Sequence, residues 1–106
     1  MMNKRKMDKL KAAGWKVGNA EDFLGLSKEE AALVEIKVAL AASLRRRRIR
    51  RKLTQAELAD VLKSSQSRVA KMEAADASVT IDLLLRSLLA LGVSRRDVAK
   101  ILAPAA

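Results

Sequence analysis

The chain has 106 residues, 22 of them basic and 12 acidic, for a formal charge of +10 at pH 7. That length suits one domain, and that surplus points to a polyanionic partner: DNA, RNA or an anionic membrane face. Neither Cys nor His occurs, which removes the usual zinc ligands and the commonest general base. No clustered acid pair and no phosphate-cradling glycine loop is evident either, so the reading is of a protein that is not an enzyme and uses no metal or cofactor. No apolar run approaches the ~18 residues of a membrane span, and no apolar signal core follows the basic N-terminus; a cytoplasmic place is expected. Half of the residues are hydrophobic, but only Trp15 and Phe23 are aromatic. The apolar supply is Leu, Val, Ile and Ala, a composition of packed helices rather than strands.

Residues 1–13 are polar and basic, with Lys4, Arg5, Lys6, Lys9 and Lys11. Gly14 and Gly18 punctuate the next stretch, where Trp15, Val17, Phe23, Leu24 and Leu26 supply a small apolar cluster. Residues 1–26 are read as a basic extension and 27–106 as the domain. Ser27 to Glu30 is a capping box, S-x-x-E, that should start a long helix. Leu33, Ile36 or Lys37, Leu40 and Leu44 follow at the helical interval, with Val34, Val38 and Ala41 widening the stripe; the helix should run to about Arg51. Thr54 to Glu57 is a second box, opening a helix whose apolar face is Leu58, Ala59 and Leu62. Ser64 and Ser65 interrupt the pattern after about two turns. Ser65 caps another short helix, with Val69 and Met72 inward, and residues 74–79 read as a loop. Thr80 starts a fourth helix carrying Leu83, Leu84, Leu88 and Leu91, which Gly92 should end as a left-handed residue. Ser94 caps a last helix with Val98, Ile101 and Leu102 apolar, and Pro104 ends it. The expectation is all-α, with five helices after residue 26.

Two short helices joined by a tight turn are a DNA-binding unit. The stretch LTQAELADVLKSSQSRVAKME, residues 53–73, resembles the Xre/Cro-type helix-turn-helix of phage repressors and many bacterial regulators. The whole five-helix pattern from residue 31 to 102 fits that family. The resemblance implies that Leu58, Ala59, Leu62, Val69 and Met72 are buried, with Ala59 small because the two helices cross there. Lys63 stands where the family often has Gly, since the backbone there tends to be left-handed; for Lys that conformation costs about 1 kcal/mol.

The same resemblance assigns a DNA site. Gln66 and Ser67 open the recognition helix toward base edges, and a Gln can bond adenine N6 and N7 together. Ser65, the cap, belongs to that surface. Lys71, one turn on, faces a guanine or a phosphate, and Arg68 faces backbone or base. Gln55 bonds a phosphate and braces Gln66. Arg48 and Glu73 occupy places where the family pairs the end of helix one with the end of the recognition helix, so that pair is structural. Arg45, Arg46, Arg47, Arg48, Arg50, Arg51 and Lys52 put seven cations in eight positions. They span two helical turns and cannot all point one way; phosphate contact is expected of Arg46, Arg50 and Lys52. Five of the twelve acids, by contrast, lie between Glu21 and Glu35.

Partners follow from these roles. The family reading implies double-stranded DNA with a palindromic operator, read by a homodimer in which Leu88, Leu91, Val98 and Ile101 are shared between core and dimer contact. The segment GWKVGNAEDFLGLSKEEAALVEIKVALAASLR, followed by the motif, resembles Xre-family antitoxins of the HigA kind. Such proteins repress their own operon and bind a RelE/HigB-like ribonuclease toxin. That implies a bacterial or phage-encoded antitoxin repressor, cytoplasmic and on the nucleoid when bound. A stand-alone repressor without a toxin and a charge-driven nucleic-acid binder are the alternatives. Two aromatics are few for stacking on single strands, and the Arg run lacks the aromatic apolar face of a membrane-surface helix.

Overall fold

The computed structural model describes residues 25–104. Among them are five helices and no strand: α1 (Lys28–Arg50), α2 (Gln55–Leu62), α3 (Gln66–Glu73), α4 (Ile81–Ala90) and α5 (Arg95–Leu102). The all-α, five-helix expectation is the architecture observed. The apolar cluster expected around Trp15 and Phe23 lies outside the described residues. The chain divides into two units, and the division falls inside α1, between Ile36 and Lys37.

In the first unit the Ser27 box is formed from both sides. The Ser27 Oγ accepts the Glu30 N–H at 3.1 Å, and the Ser27 N–H donates to Glu30 Oε1 at 3.3 Å. Leu33, expected to face inward, is 53% exposed. The core of the second unit starts on this helix only at Leu40.

In the second unit Leu40, Ala41 and Leu44 of α1 share a core with Leu58 and Ala59 of α2, Val69 and Met72 of α3, and Leu84 and Leu88 of α4. α2 and α3 pack closely on each other, and Ala59, 3% exposed, is the small residue of that crossing. Leu62 is only half-buried. Two serines are buried as well, each with a partner: Ser87 Oγ donates to the Leu83 carbonyl at 2.8 Å, and Ser43 Oγ accepts from Arg47 Nε at 3.2 Å. Lys37 is half-buried, and that burial lowers its pKa, partly offset by Asp76.

What bounds the helices is chemical and repetitive. Each begins after a Ser or Thr whose hydroxyl accepts the N–H three residues on: Ser27, Thr54, Ser65, Thr80 and Ser94. Each such cap satisfies an otherwise orphaned donor, worth about 1 kcal/mol. At Thr54 the box is reciprocal, the Thr54 N–H donating to Glu57 Oε1 at 2.8 Å. That bond and the one from Thr54 Oγ1 hold the Glu57 carboxyl below its ordinary 4.5. Its stabilisation is therefore present above the unfolded pKa and lost as pH falls through the lowered folded one.

The first four helices end alike, on a residue in the left-handed region: Lys52 (φ 57°), Lys63 (φ 54°), Ala75 (φ 53°) and Gly92 (φ 87°). In each case the next N–H reaches back to a carbonyl five residues earlier: Leu53 to Arg48, Ser64 to Ala59, Asp76 to Lys71 and Val93 to Leu88, at 2.8–3.1 Å. This is the Schellman closure. Lys63 takes the left-handed conformation that its position implies, and Gly92 ends α4 as its type suggests. Lys52 and Ala75 do the same without a glycine.

A left-handed non-glycine residue carries strain of about 1–2 kcal/mol, while glycine there loses more chain entropy on folding, about 0.5–1 kcal/mol. Ala75→Gly is therefore expected to stabilise by about 0.5–1 kcal/mol, raising the melting temperature by a few degrees. Gly92→Ala, whose added Cβ meets no atom but whose φ is wrong for it, should lower it. Thermal melts followed by circular dichroism check both signs; a lower melting temperature for Ala75→Gly would show that strain is not what limits that turn.

Candidate nucleic-acid interface

The geometry of α2 and α3 fixes which side chains are presented. On α3, at about 100° per residue, Val69 and Met72 define the inward arc. Ser67 and Lys71, one turn apart, centre the outward arc, with Gln66 and Arg68 on its flanks. All four are exposed. Ser65 stands at the N-cap, its Oγ accepting the Arg68 N–H at 3.1 Å. The left-handed Lys63 turns the chain sharply enough that α3 begins four residues after α2 ends.

A connected set of polar contacts runs beneath this surface. Arg48 grips Glu73 with two bonds, Nε to Oε2 at 2.5 Å and Nη2 to Oε1 at 2.9 Å, and its Nη1 donates to the Leu53 carbonyl at 2.9 Å. Gln55 Nε2 donates to Glu73 Oε1 at 3.2 Å, and Gln55 Oε1 accepts from Gln66 Nε2 at 2.8 Å. Glu73, 4% exposed as a side chain, thus sits at the root and Gln66 at the solvent end. Hydrogen bonding to Glu73 raises the Arg48 pKa further above an already high value, so the guanidinium stays charged. Sequence spacing gave no hint that Gln55 ties back to Glu73.

The structure sorts the basic run by what each side chain already holds. Arg47 donates to Ser43 and Arg48 to Glu73 and Leu53. Arg51 Nη2 donates to the Leu91 carbonyl, where α4 ends; the two stand 40 positions apart, and no local signal marks that contact. Among the described residues Arg45, Arg46, Arg50 and Lys52 have no side-chain hydrogen bond or ion pair, and all four are exposed. Arg46 and Arg50 each stand two residues from Arg48, about 200° round the helix. They project from the face of α1 opposite the one that meets Glu73. Lys52 lies in the turn that leads into α2, three residues from Gln55.

A family model described as helix-turn-helix matches residues 44–101; no curated protein and no solved structure matches the chain. The chain belongs to the helix-turn-helix family, of Xre/Cro type. It is a DNA-binding transcriptional regulator. No helix among the described residues is long and apolar enough to cross a membrane.

The Arg48–Glu73 pair makes a clear prediction. Removing one partner of a buried ion pair leaves the other charge desolvated and costs about 3–5 kcal/mol; with Arg48 13% exposed the lower end is expected. Arg48→Ala should melt at least 10 °C below the parent, on the order expected for a domain of this size, while Arg46→Ala should melt with it. Similar melting temperatures for the two variants would show that Glu73 finds water or another donor when Arg48 is gone.

Proposed function

We propose that the chain represses transcription by reading a palindromic operator as a homodimer, with α3 in the major groove of each half-site. The observation that carries this is the bonded series from Glu73 through Gln55 to Gln66, which preorganises an exposed amide at the start of α3. In this reading Gln66 and Ser67 meet base edges, and Lys71 and Arg68 extend the contact along α3. Ser65 and Gln55 meet phosphate at the N-termini of α3 and α2, where exposed N–H groups and the helix dipole favour anions. Lys52 is the nearest gripping cation, and Arg46 and Arg50 are its outer members. Arg48 and Glu73 are structural, and residues 1–26 form an extension to the domain.

Base reading and phosphate gripping separate experimentally. A lost bidentate base contact costs about 1–3 kcal/mol at one base pair. A lost phosphate contact weakens all sequences and reduces the salt slope by about 0.9. Gln66→Ala should lower operator affinity, leave random-duplex affinity nearly unchanged and keep the slope. Lys52→Ala should lower both affinities and flatten the slope, with Arg46→Ala and Arg50→Ala acting the same way but less strongly. Titrations on operator and random duplex at several salt concentrations decide; equal weakening of both duplexes by Gln66→Ala would remove α3 as the reading helix.

A second reading, favoured by the sequence of residues 14–45, adds an antitoxin role with a RelE/HigB-like ribonuclease as partner. Residues 14–24 of that stretch lie outside the described residues. Co-expression with a neighbouring small ribonuclease gene tests it. Deleting residues 1–26 should weaken the complex and spare operator binding, whereas unchanged toxin affinity with lost DNA binding would reverse the assignment of the two surfaces.

A further inference from the structure

Three of the turns between helices are built alike. Each has a left-handed residue, then one whose N–H closes on a carbonyl five residues back, then a hydroxyl cap, then the first residue of the next helix. They are Lys52-Leu53-Thr54-Gln55 into α2, Lys63-Ser64-Ser65-Gln66 into α3 and Gly92-Val93-Ser94-Arg95 into α5. The left-handed place favours glycine, because a Cβ there crowds the following carbonyl. Of the three turns, the one into α5 has glycine. The turns into α2 and α3 carry a strained lysine instead, at φ 57° and 54°.

The reason for the lysines lies outside the folded chain. Both are exposed, and neither side chain has a hydrogen bond or ion pair among the described residues. A cation can also serve the carbonyl end of the helix behind it. α2 has no basic residue in its last turn, so that explanation fits Lys63. It does not fit Lys52, because α1 already ends with Arg47, Arg48 and Arg50. A cation in the last turn itself would serve the dipole with no backbone strain. Residues held in strained backbone cluster at ligand clamps, and the ligand of an exposed ammonium is an anion.

The two lysines bracket α2. Its eight residues rise about 12 Å, matching the ~12 Å width of a major groove. Each lysine stands three residues ahead of one member of the Gln55–Gln66 pair, whose amides bond at 2.8 Å.

We propose that Lys63 grips a DNA phosphate on the strand opposite the one Lys52 grips, so that α2 spans the groove with a cation on each rim. The grip itself requires only that the chain binds DNA. Its placement across the groove rests on the reading by α3 proposed above.

Titrations of the full chain on a random duplex, and on the duplex that the parent selects from a random pool, test this at several salt concentrations. Lys63→Gly should raise the melting temperature by a few degrees as strain is relieved. It should nevertheless lower affinity for both duplexes by the same factor and reduce the salt slope by about 0.9. Lys63→Gln keeps the strain and loses the charge, so the slope should fall without the gain in melting temperature. Lys63→Arg should keep the parent slope. Joining Lys52→Gly to Lys63→Gly should reduce the slope by about 1.8. Phosphate ethylation interference on the selected duplex should show the two single glycine variants losing sensitivity on opposite strands. An unchanged slope for Lys63→Gly overturns the proposal. So does a lower melting temperature in both Lys63→Gly and Lys63→Gln, which would make Lys63 the cation of α2's own C-terminus, and so does interference lost on the same strand in both glycine variants. Failure of the reading function shows elsewhere, as equal weakening of both duplexes by Gln66→Ala, and leaves the slope test of Lys63 intact.

Discussion

The ion pair between Arg48 and Glu73 is the contact on which the proposed reading surface depends. It ties the end of α1 to the end of α3, and one oxygen of the same carboxylate also accepts Gln55, which accepts Gln66. The exposed amide at the start of α3 is therefore positioned through bonds rooted in a carboxylate almost fully withdrawn from water. α2 and α3 have eight residues each, well short of the roughly 12–15 that stand alone in water. Their mutual angle has to be imposed from outside, by Leu58, Ala59, Val69 and Met72 beneath and by Arg48 at the rim. A pair whose rupture costs about 3 kcal/mol is a large fraction of the 5–15 kcal/mol that holds a small domain together.

The ends of the helices owe more to capping than to hydrophobic pattern. A hydroxyl satisfies an N–H at every start, and a left-handed residue closes the first four ends. These closures set the lengths of α2 and α3 and so the reach of the turn between them. Three of the four left-handed residues are not glycine. Their strain is sustained because each closure returns bonds to carbonyls that would otherwise be orphaned, and because the buried faces on either side over-determine the path.

How much of this was legible in the sequence follows from how local each signal is. Ser27, Thr54, Ser65, Thr80 and Ser94 announce helix starts because the accepting hydroxyl and the donating N–H lie three residues apart. Gly92 announces an end because its residue type matches its backbone. Lys52 and Ala75 announce nothing, since a left-handed Lys or Ala looks like any other. The run LLLRSLLAL, residues 83–91, was legible in large part: Leu84, Leu88 and Leu91, expected inward, are buried, while Leu83 is only half-buried. With leucine at nearly every phase, periodicity alone does not separate Leu88 from Leu89, and the buried serine at 87, satisfied by its own helix, argues against the true phase. The Arg48–Glu73 contact spans 25 residues and was visible only through the family resemblance. The tie from Arg51 to the Leu91 carbonyl, 40 residues away, had no sequence trace.

The basic run shows why counting charges is a poor guide to an electrostatic interface. All 22 cations contribute to the field that draws DNA toward the protein, and that field governs encounter. The salt dependence of the complex counts only phosphates actually neutralised. Arg47, Arg48 and Arg51 already donate to protein acceptors. To grip a phosphate they would have to give those bonds up, and for Arg48 that means stranding a buried carboxylate. Arg45, Arg46, Arg50 and Lys52 give up nothing but water. Seven adjacent cations thus divide into three that hold the protein in shape and four that are available to a ligand. The division follows from the acceptors within reach of each guanidinium and not from residue type or place in the run.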